Sequence, residues 1–209
     1  MNTRSIVFAA LFVVTLGVWG GPAGAYAANA ETTTAQGFIE GLAEEAVSAL
    51  TTEGVSREDR IGRFTELLNH NFDVRTIGKW VLGRYWRTAS DAEREEYLKL
   101  FEEYVVITYV ERFDQYSGEK LLVSKSVAEP GQDALVFSEI NRPSGGEPIR
   151  VDWRVRSNAD VYKIIDVYVE GISMSQTQRK EFTSVIRANG GTVAGLLGAL
   201  RTQIAKLTP

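Results

Sequence analysis

The chain has 209 residues, with 23 Lys+Arg, 27 Asp+Glu, one His and no Cys, a length that suits one domain or at most two small ones. Apolar residues make up 44% and charged residues 24%, a globular mixture, and a net charge of -4 gives no general reason to bind nucleic acid. The absence of cysteine excludes disulfides, thiol catalysis and thiolate metal sites, and a single histidine removes the multi-histidine metal centres of common hydrolases.

The first thirty residues read as an export leader. Arg4 precedes an apolar run from Ile6 to Trp19, and Gly20, Gly21 and Pro22 break it. Ala23-Gly24-Ala25 then offers small residues at a cleavage site, with Ala25-Tyr26-Ala27 and Ala28-Asn29-Ala30 as alternatives. Fourteen apolar residues are short of the ~20 that a spanning helix needs. The expected division is therefore a signal peptide over 1–28, cleaved between about 25 and 30, and a single soluble domain over 29–209. No cysteine follows the run, so a lipoprotein anchor is excluded.

Proline is absent between Ala23 and Glu129, which permits a helical first half. Helices are predicted near 35–52, 57–70, 73–83 and 91–116. Ser56 to Asp59 and Ser90 to Glu93 fit the capping box, in which a serine and an acidic residue three places on satisfy orphan amides. From Lys120 the period changes to two. Leu121, Val123 and Val127 alternate with polar residues, Ala134 to Ile140 form a second run, and Ile149, Val151, Trp153 and Val155 interleave with Arg150, Asp152, Arg154 and Arg156. This is the pattern of half-buried strands. Tyr162 to Glu170 suits a central strand. The links at 130–132, 144–146 and 158–160 carry turn residues, so successive strands are expected to pair antiparallel. Two last helices are predicted near 174–188 and 193–206, separated by Asn189-Gly190-Gly191 and capped by Thr192.

Eleven aromatic residues fall between Phe64 and Tyr116: Phe64, Phe72, Trp80, Tyr85, Trp86, Tyr97, Phe101, Tyr104, Tyr109, Phe113 and Tyr116. That is over half of the rings left once Phe8, Phe12 and Trp19 of the leader are set aside. Tyr104 to Val110 is apolar all round, wider than the ~100° stripe of a surface helix. Either a neighbouring helix covers its second face or a ligand does, in an apolar cavity between helices and sheet. Polar candidates for chemistry are sparse. His70 lies at a helix end with no nucleophile or metal ligand near it in sequence. Asp166 lies within an apolar strand, placed by strict alternation on the face of Ile164 and Tyr168. Either would be the base of an enzyme acting on a small apolar substrate, the competing reading. No catalytic constellation accompanies them, and none is expected.

Two strings are more specific. Val81-Leu82-Gly83-Arg84-Tyr85-Trp86-Arg87-Thr88-Ala89-Ser90, running into Arg94, Tyr97, Phe101 and Tyr104, resembles the MlaC (toluene-tolerance) family. So does Val151-Asp152-Trp153-Arg154-Val155 followed by Tyr162 and by Ile165-Asp166-Val167-Tyr168-Val169-Glu170-Gly171-Ile172-Ser173-Met174. The resemblance spans roughly residues 38–205. It implies a periplasmic glycerophospholipid carrier, with phospholipid as cargo and no cofactor. The implied partners are an outer-membrane lipoprotein complex and an inner-membrane ABC transporter with an MCE-domain subunit, and the carrier helps to maintain outer-membrane lipid asymmetry. A branch of the family associated with hopanoids leaves a polycyclic lipid open as the alternative cargo.

The fold expected is α+β: an antiparallel sheet of about four strands packed against several helices, enclosing an apolar cavity, as in the nuclear-transport-factor-like cone. A monomer is expected. The residues expected to line the tail pocket are Phe72, Ile77, Trp80, Val81, Tyr85, Phe101, Tyr104, Val105, Tyr109, Val151, Trp153, Val155, Val167, Val169 and Ile172. That list takes the Val151/Trp153/Val155 face of the sheet as the inward one. The acidic stretch from Glu93 to Glu103 and the basic face of Arg150, Arg154 and Arg156 are candidate docking surfaces.

Overall fold

The computed structural model describes residues 30–52, 54–110, 116–159 and 161–208, with side chains in the first helix from residue 35 onward. The leader read over 1–28 and the ring of Phe113 lie outside the described residues. Five helices come first: α1 (Ala30–Leu50), α2 (Arg57–Asn71), α3 (Val74–Leu82), α4 (Tyr85–Thr88) and α5 (Asp91–Val110). Strands β1 (Lys120–Ala128), β2 (Asp133–Asn141), β3 (Ile149–Asn158), β4 (Val161–Val169) and β5 (Ile172–Ser173) follow, and α6 (Met174–Ala188) and α7 (Val193–Leu207) close the chain. No helix among the described residues is long and apolar enough to cross a membrane.

Local chemistry sets most helix starts. Ser56 accepts from the Asp59 amide at 3.0 Å and donates to its carboxylate at 2.9 Å. Glu93 and Ser90 cap each other, with the Ser90 amide donating to Glu93 at 2.8 Å and the Glu93 amide to Ser90 at 3.2 Å. Gly83, at φ 60°, ends α3 in a conformation that favours glycine. The chain then forms the four-residue α4, which the apolar periodicity did not announce. Helix α5 ends among the described residues at Val110, and Tyr116 lies outside it, donating its hydroxyl to the Glu119 carbonyl at 3.0 Å.

The sheet is an antiparallel meander in the order β1-β2-β3-β4-β5. Two bulges alter its faces. One, between Val123 and Lys125, leaves Ser126 opposite Val136 and turns Val127 outward. Strict alternation had placed Val127 with Leu121 and Val123, and the extra residue is the reason it does not. The second lies in β4, where Arg154 pairs with Asp166 but Val155 pairs with Ile164. Asp166 therefore shares a face with Arg154, not with Ile164 as alternation predicted. The β4–β5 link is a two-residue turn with both Glu170 and Gly171 at positive φ, 50° and 75°, the backbone that tight hairpins need.

Two apolar clusters form. On the inner sheet face Ala134, Val136, Val155 and Ile164 are buried with Ala35 and Ile39 of α1, and Phe38, Leu42, Val123, Trp153 and Val167 pack around them. Among the helices, Val81, Leu82, Tyr97, Phe101, Phe182, Ile186, Leu196, Leu197 and Leu200 form the other. Helices α3 and α5 approach closely at Gly78, where an added Cβ would lie 3.0 Å from Leu98. The buried Tyr97 hydroxyl donates to the Gly78 carbonyl there at 3.0 Å.

Candidate functional site

The expected lining divides between the two clusters. From the helices, Val81 and Phe101 are buried in the helical cluster, and Ile77, Tyr85, Tyr104 and Val105 pack half-buried on it. From the sheet, Val155 is buried, with Phe72, Trp153 and Val167 packed against its cluster. Register places Val151 opposite Val169, and Trp153 opposite Val167, on one face of neighbouring strands. Val169 in turn pairs with Ile172 at the sheet edge. The face taken as inward is thus the one that α1 covers. Trp80, Tyr109 and Ile172 stand nearer the surface, at 43%, 37% and 55% exposure. Trp80 lies under the Arg179 guanidinium, 5.0 Å from ring centre to cation.

Sequence reasoning predicted a helix over 35–52 but left α1 out of the expected lining. Its residues Ala35, Phe38, Ile39 and Leu42 form an apolar stripe at helical spacing, which was legible, and it lies against Val136 and Val155. The two apolar surfaces are thus the α1-covered Trp153/Val167 face of the sheet and, on the helical cluster, the Tyr104/Val105 side of α5. Trp153 is anchored there by its indole N–H, which donates to Ser138 at 3.0 Å, and buried Ser138 donates to the Val151 carbonyl. Burial pushes the Tyr104 hydroxyl above the usual phenol range, and the nearby Glu181 charge adds to this. A neutral, partly covered tyrosine suits the edge of an apolar site.

Two surface grooves carry charged and polar side chains beside apolar ones. One of about 570 Å³ is lined by Arg84, Tyr85, Arg87, Thr88, Glu93, Gly191, Thr192 and Val193. The other, about 460 Å³, lies among Asn69, Phe72, Asp73, Arg75, Glu95, Lys99, Glu102 and Lys163. Of the expected lining residues, only Tyr85 and Phe72 border them.

The candidate bases have structural roles. Asp166 accepts from the Val167 and Ser175 amides at 2.9 and 3.2 Å and from the Ser173 hydroxyl at 2.6 Å. It thereby ties the start of α6 to the sheet. His70 is exposed at the end of α2, where its carbonyl accepts from Lys163. Among the described residues no cluster of His, Asp or Glu could hold a metal ion. The basic strand face carries its own counter-ions: Arg150 pairs with Asp152 at 3.2 Å, Arg154 with Glu129 at 2.8 Å and Arg156 with Asp133 at 2.7 Å. On α5, Glu95 meets Arg75 at 3.3 Å and Glu96 meets Arg201.

Fold and site together define an α+β scaffold with two apolar clusters, one among the helices and one on the sheet. A solved structure has the same fold: that of the phospholipid-binding protein from Ralstonia solanacearum in complex with a phospholipid, matched at a TM-score of 0.70. The match covers 84% of this chain and 99% of that one, at 21% identity. The sequence profile of the MlaC protein family matches residues 40–202, and the chain belongs to the MlaC family. A curated relative, the intermembrane phospholipid transport system binding protein MlaC of Haemophilus influenzae, is 26% identical over 117 residues. That alignment spans 54% of each chain, about half the length of the relative.

Proposed function

We propose that this protein binds a glycerophospholipid, holding its acyl chains at the seam between the helical layer and the inner sheet face with the headgroup outward. The observation that carries the reading is the span of the family match: residues 40–202 take in all five strands and the whole of α2 to α6. Those elements supply Trp153 and Val167 on one side and Tyr104 and Val105 on the other. The physics supports a carrier. Each exposed methylene costs about 0.8 kcal/mol in water, so a two-chain lipid must stay covered in transit, and covering it needs no acid, base or metal.

On this reading the mature protein works in the periplasm after leader cleavage, as a monomer. It receives lipid from, or delivers it to, an outer-membrane lipoprotein complex and an inner-membrane MCE/ABC transporter complex, maintaining outer-membrane lipid asymmetry. Protein purified from the periplasm should carry phospholipid in native mass spectrometry. The Val105→Glu variant, checked for helix content by circular dichroism, should load at least tenfold less from vesicles. Lipid-free wild-type preparations that take up none from vesicles would sink the reading, and a polycyclic lipid in the spectrum would replace the cargo.

A further inference from the structure

Of the residues expected to line the tail pocket, the 570 Å³ groove borders Tyr85 alone. Helix α6 starts at the sheet, where Asp166 holds Ser173 and Ser175. Its 15 residues then carry the chain about 22 Å before Gly190 and Gly191 turn it into α7. At that far end three arginines meet. Arg84 donates to the Tyr85 hydroxyl at 3.0 Å and its cation stands 4.9 Å from the Tyr85 ring centre. Arg187, from the last turn of α6, stands near the same hydroxyl, and the Arg84 hydrogen bond and both arginine charges hold the Tyr85 pKa below the usual phenol value. Arg87 and Thr88 form the adjoining wall.

All three arginines are exposed, and no ion pair joins any of them to a carboxylate among the described residues. The strand-face arginines Arg150, Arg154 and Arg156 are all paired, so the contrast lies within one molecule. Two guanidinium charges beside one tyrosine repel each other, an arrangement that an anion between them would relieve. The one carboxylate on the wall, Glu93, is bound by the Ser90 amide and hydroxyl in the α5 cap. Nothing would lie within 4 Å of a Cβ at Gly190 or Gly191, and Thr192 caps the start of α7 by accepting from the Gly195 amide at 3.2 Å. The amides of a helix start favour negative charge.

We propose that this groove binds a phosphate group through Arg84, Arg87 and Arg187, beside the C-terminal end of α6. Guanidinium forks match phosphate oxygens two at a time, and a recess walled by Arg84 and Arg87, with Arg187 beside the shared Tyr85, suits a compact tetrahedral anion. The phosphate would come either from a lipid displayed at a membrane surface or from a soluble phosphate ester.

Calorimetric titration with glycerol 3-phosphate and flotation with phosphatidylcholine vesicles containing phosphatidic acid test the proposal and separate the two sources. Wild-type protein should bind at least one probe, more weakly as salt rises. Arg84→Gln/Arg187→Gln should weaken that binding about tenfold or more, while Lys180→Gln/Lys206→Gln, which removes the same charge from exposed sites, should not. Binding to vesicles alone assigns the groove to membrane lipid, and binding to the soluble ester alone assigns it to a free phosphate ester. No binding of either probe, equal loss in both double variants, or an arginine variant that binds like wild type overturns the proposal. So does capture of a polyglutamate peptide in place of both probes. Lipid loading at the seam should be unchanged in Arg84→Gln/Arg187→Gln, so the failure of this inference and that of the carrier reading give different results.

Discussion

Strand β3 places Asp152 on the outer sheet face with 5% of its surface exposed, 3.2 Å from the Arg150 guanidinium. Burial raises its pKa above the ordinary carboxylate value of 3.8, and the Arg150 charge opposes the shift. The sign follows from linkage. Between the unfolded value of 3.8 and the higher folded one, the native state binds more protons, so this group's contribution to stability is lost as pH rises through that window. Asn at this position carries no charge to desolvate. Urea midpoints for wild type and Asp152→Asn, compared from pH 4 to pH 7, should therefore diverge, with the variant gaining on wild type as pH rises. Parallel midpoints would show that Arg150 already compensates the buried carboxylate. That Asp152 is buried was hidden in the sequence, where it alternates with Arg150 and Arg154 like any outward residue. Burial on that face depends on neighbouring strands, which are distant in the chain.

Among the elements, those whose signals are local were legible. The Ser56–Asp59 and Ser90–Glu93 caps, the Thr192 cap and the antiparallel hairpins all rest on residues within a few positions of each other. The bulges in β1 and β4 were not legible, because an extra residue shows only against its partner strand. Gly78 belongs to the same class. Nothing in Ile77-Gly78-Lys79 announces a helix crossing, yet the position has Leu98 and Phe101 against it at 3.0 and 3.1 Å. Gly78→Ala should cost about 1–3 kcal/mol as α3 is pushed from α5. Gly62→Ala, in an exposed stretch of α2 with nothing within 4 Å, should gain about 0.5–1 kcal/mol by helix propensity. Chemical denaturation of the two variants checks both signs, and a stabilised Gly78→Ala would mean that the crossing is looser than its geometry.

At the scale of the whole molecule, the apolar residues form two clusters in place of one core, one among the helices and one on the sheet. On the carrier reading, a bound lipid contributes to the stability of the loaded state by mass action. At a hundredfold excess over Kd that is about 2.7 kcal/mol, or roughly 5–10 °C in Tm for a chain of this length. Calorimetric scans of loaded and delipidated protein should differ by that amount and in that direction, and equal Tm values would mean that the seam holds no ligand in the folded state. Loading should also lower the exposure of Trp153, which fluorescence quenching by acrylamide can follow.

The α+β class, the order of the longer helices and the first four strands, and membership of a family with a distinctive string from Val169 to Met174 were determined by sequence alone. All depend on residue type and short-range spacing, and the string itself proves to be a tight hairpin running into the Ser173 cap of α6. The aromatic surplus between Phe64 and Tyr116 was equally plain, but its meaning was not. Only the tertiary structure decided that Phe101 and Tyr97 fill a helical core while Tyr104 and Val105 lie at its edge. It alone showed that α1 covers the inner sheet face, that the strand arginines are neutralised, and that Arg84, Arg87 and Arg187 form no ion pair among the described residues. These are facts about which surfaces meet, and burial and charge pairing are set by neighbours from remote parts of the chain, a relation that spacing along the chain does not record.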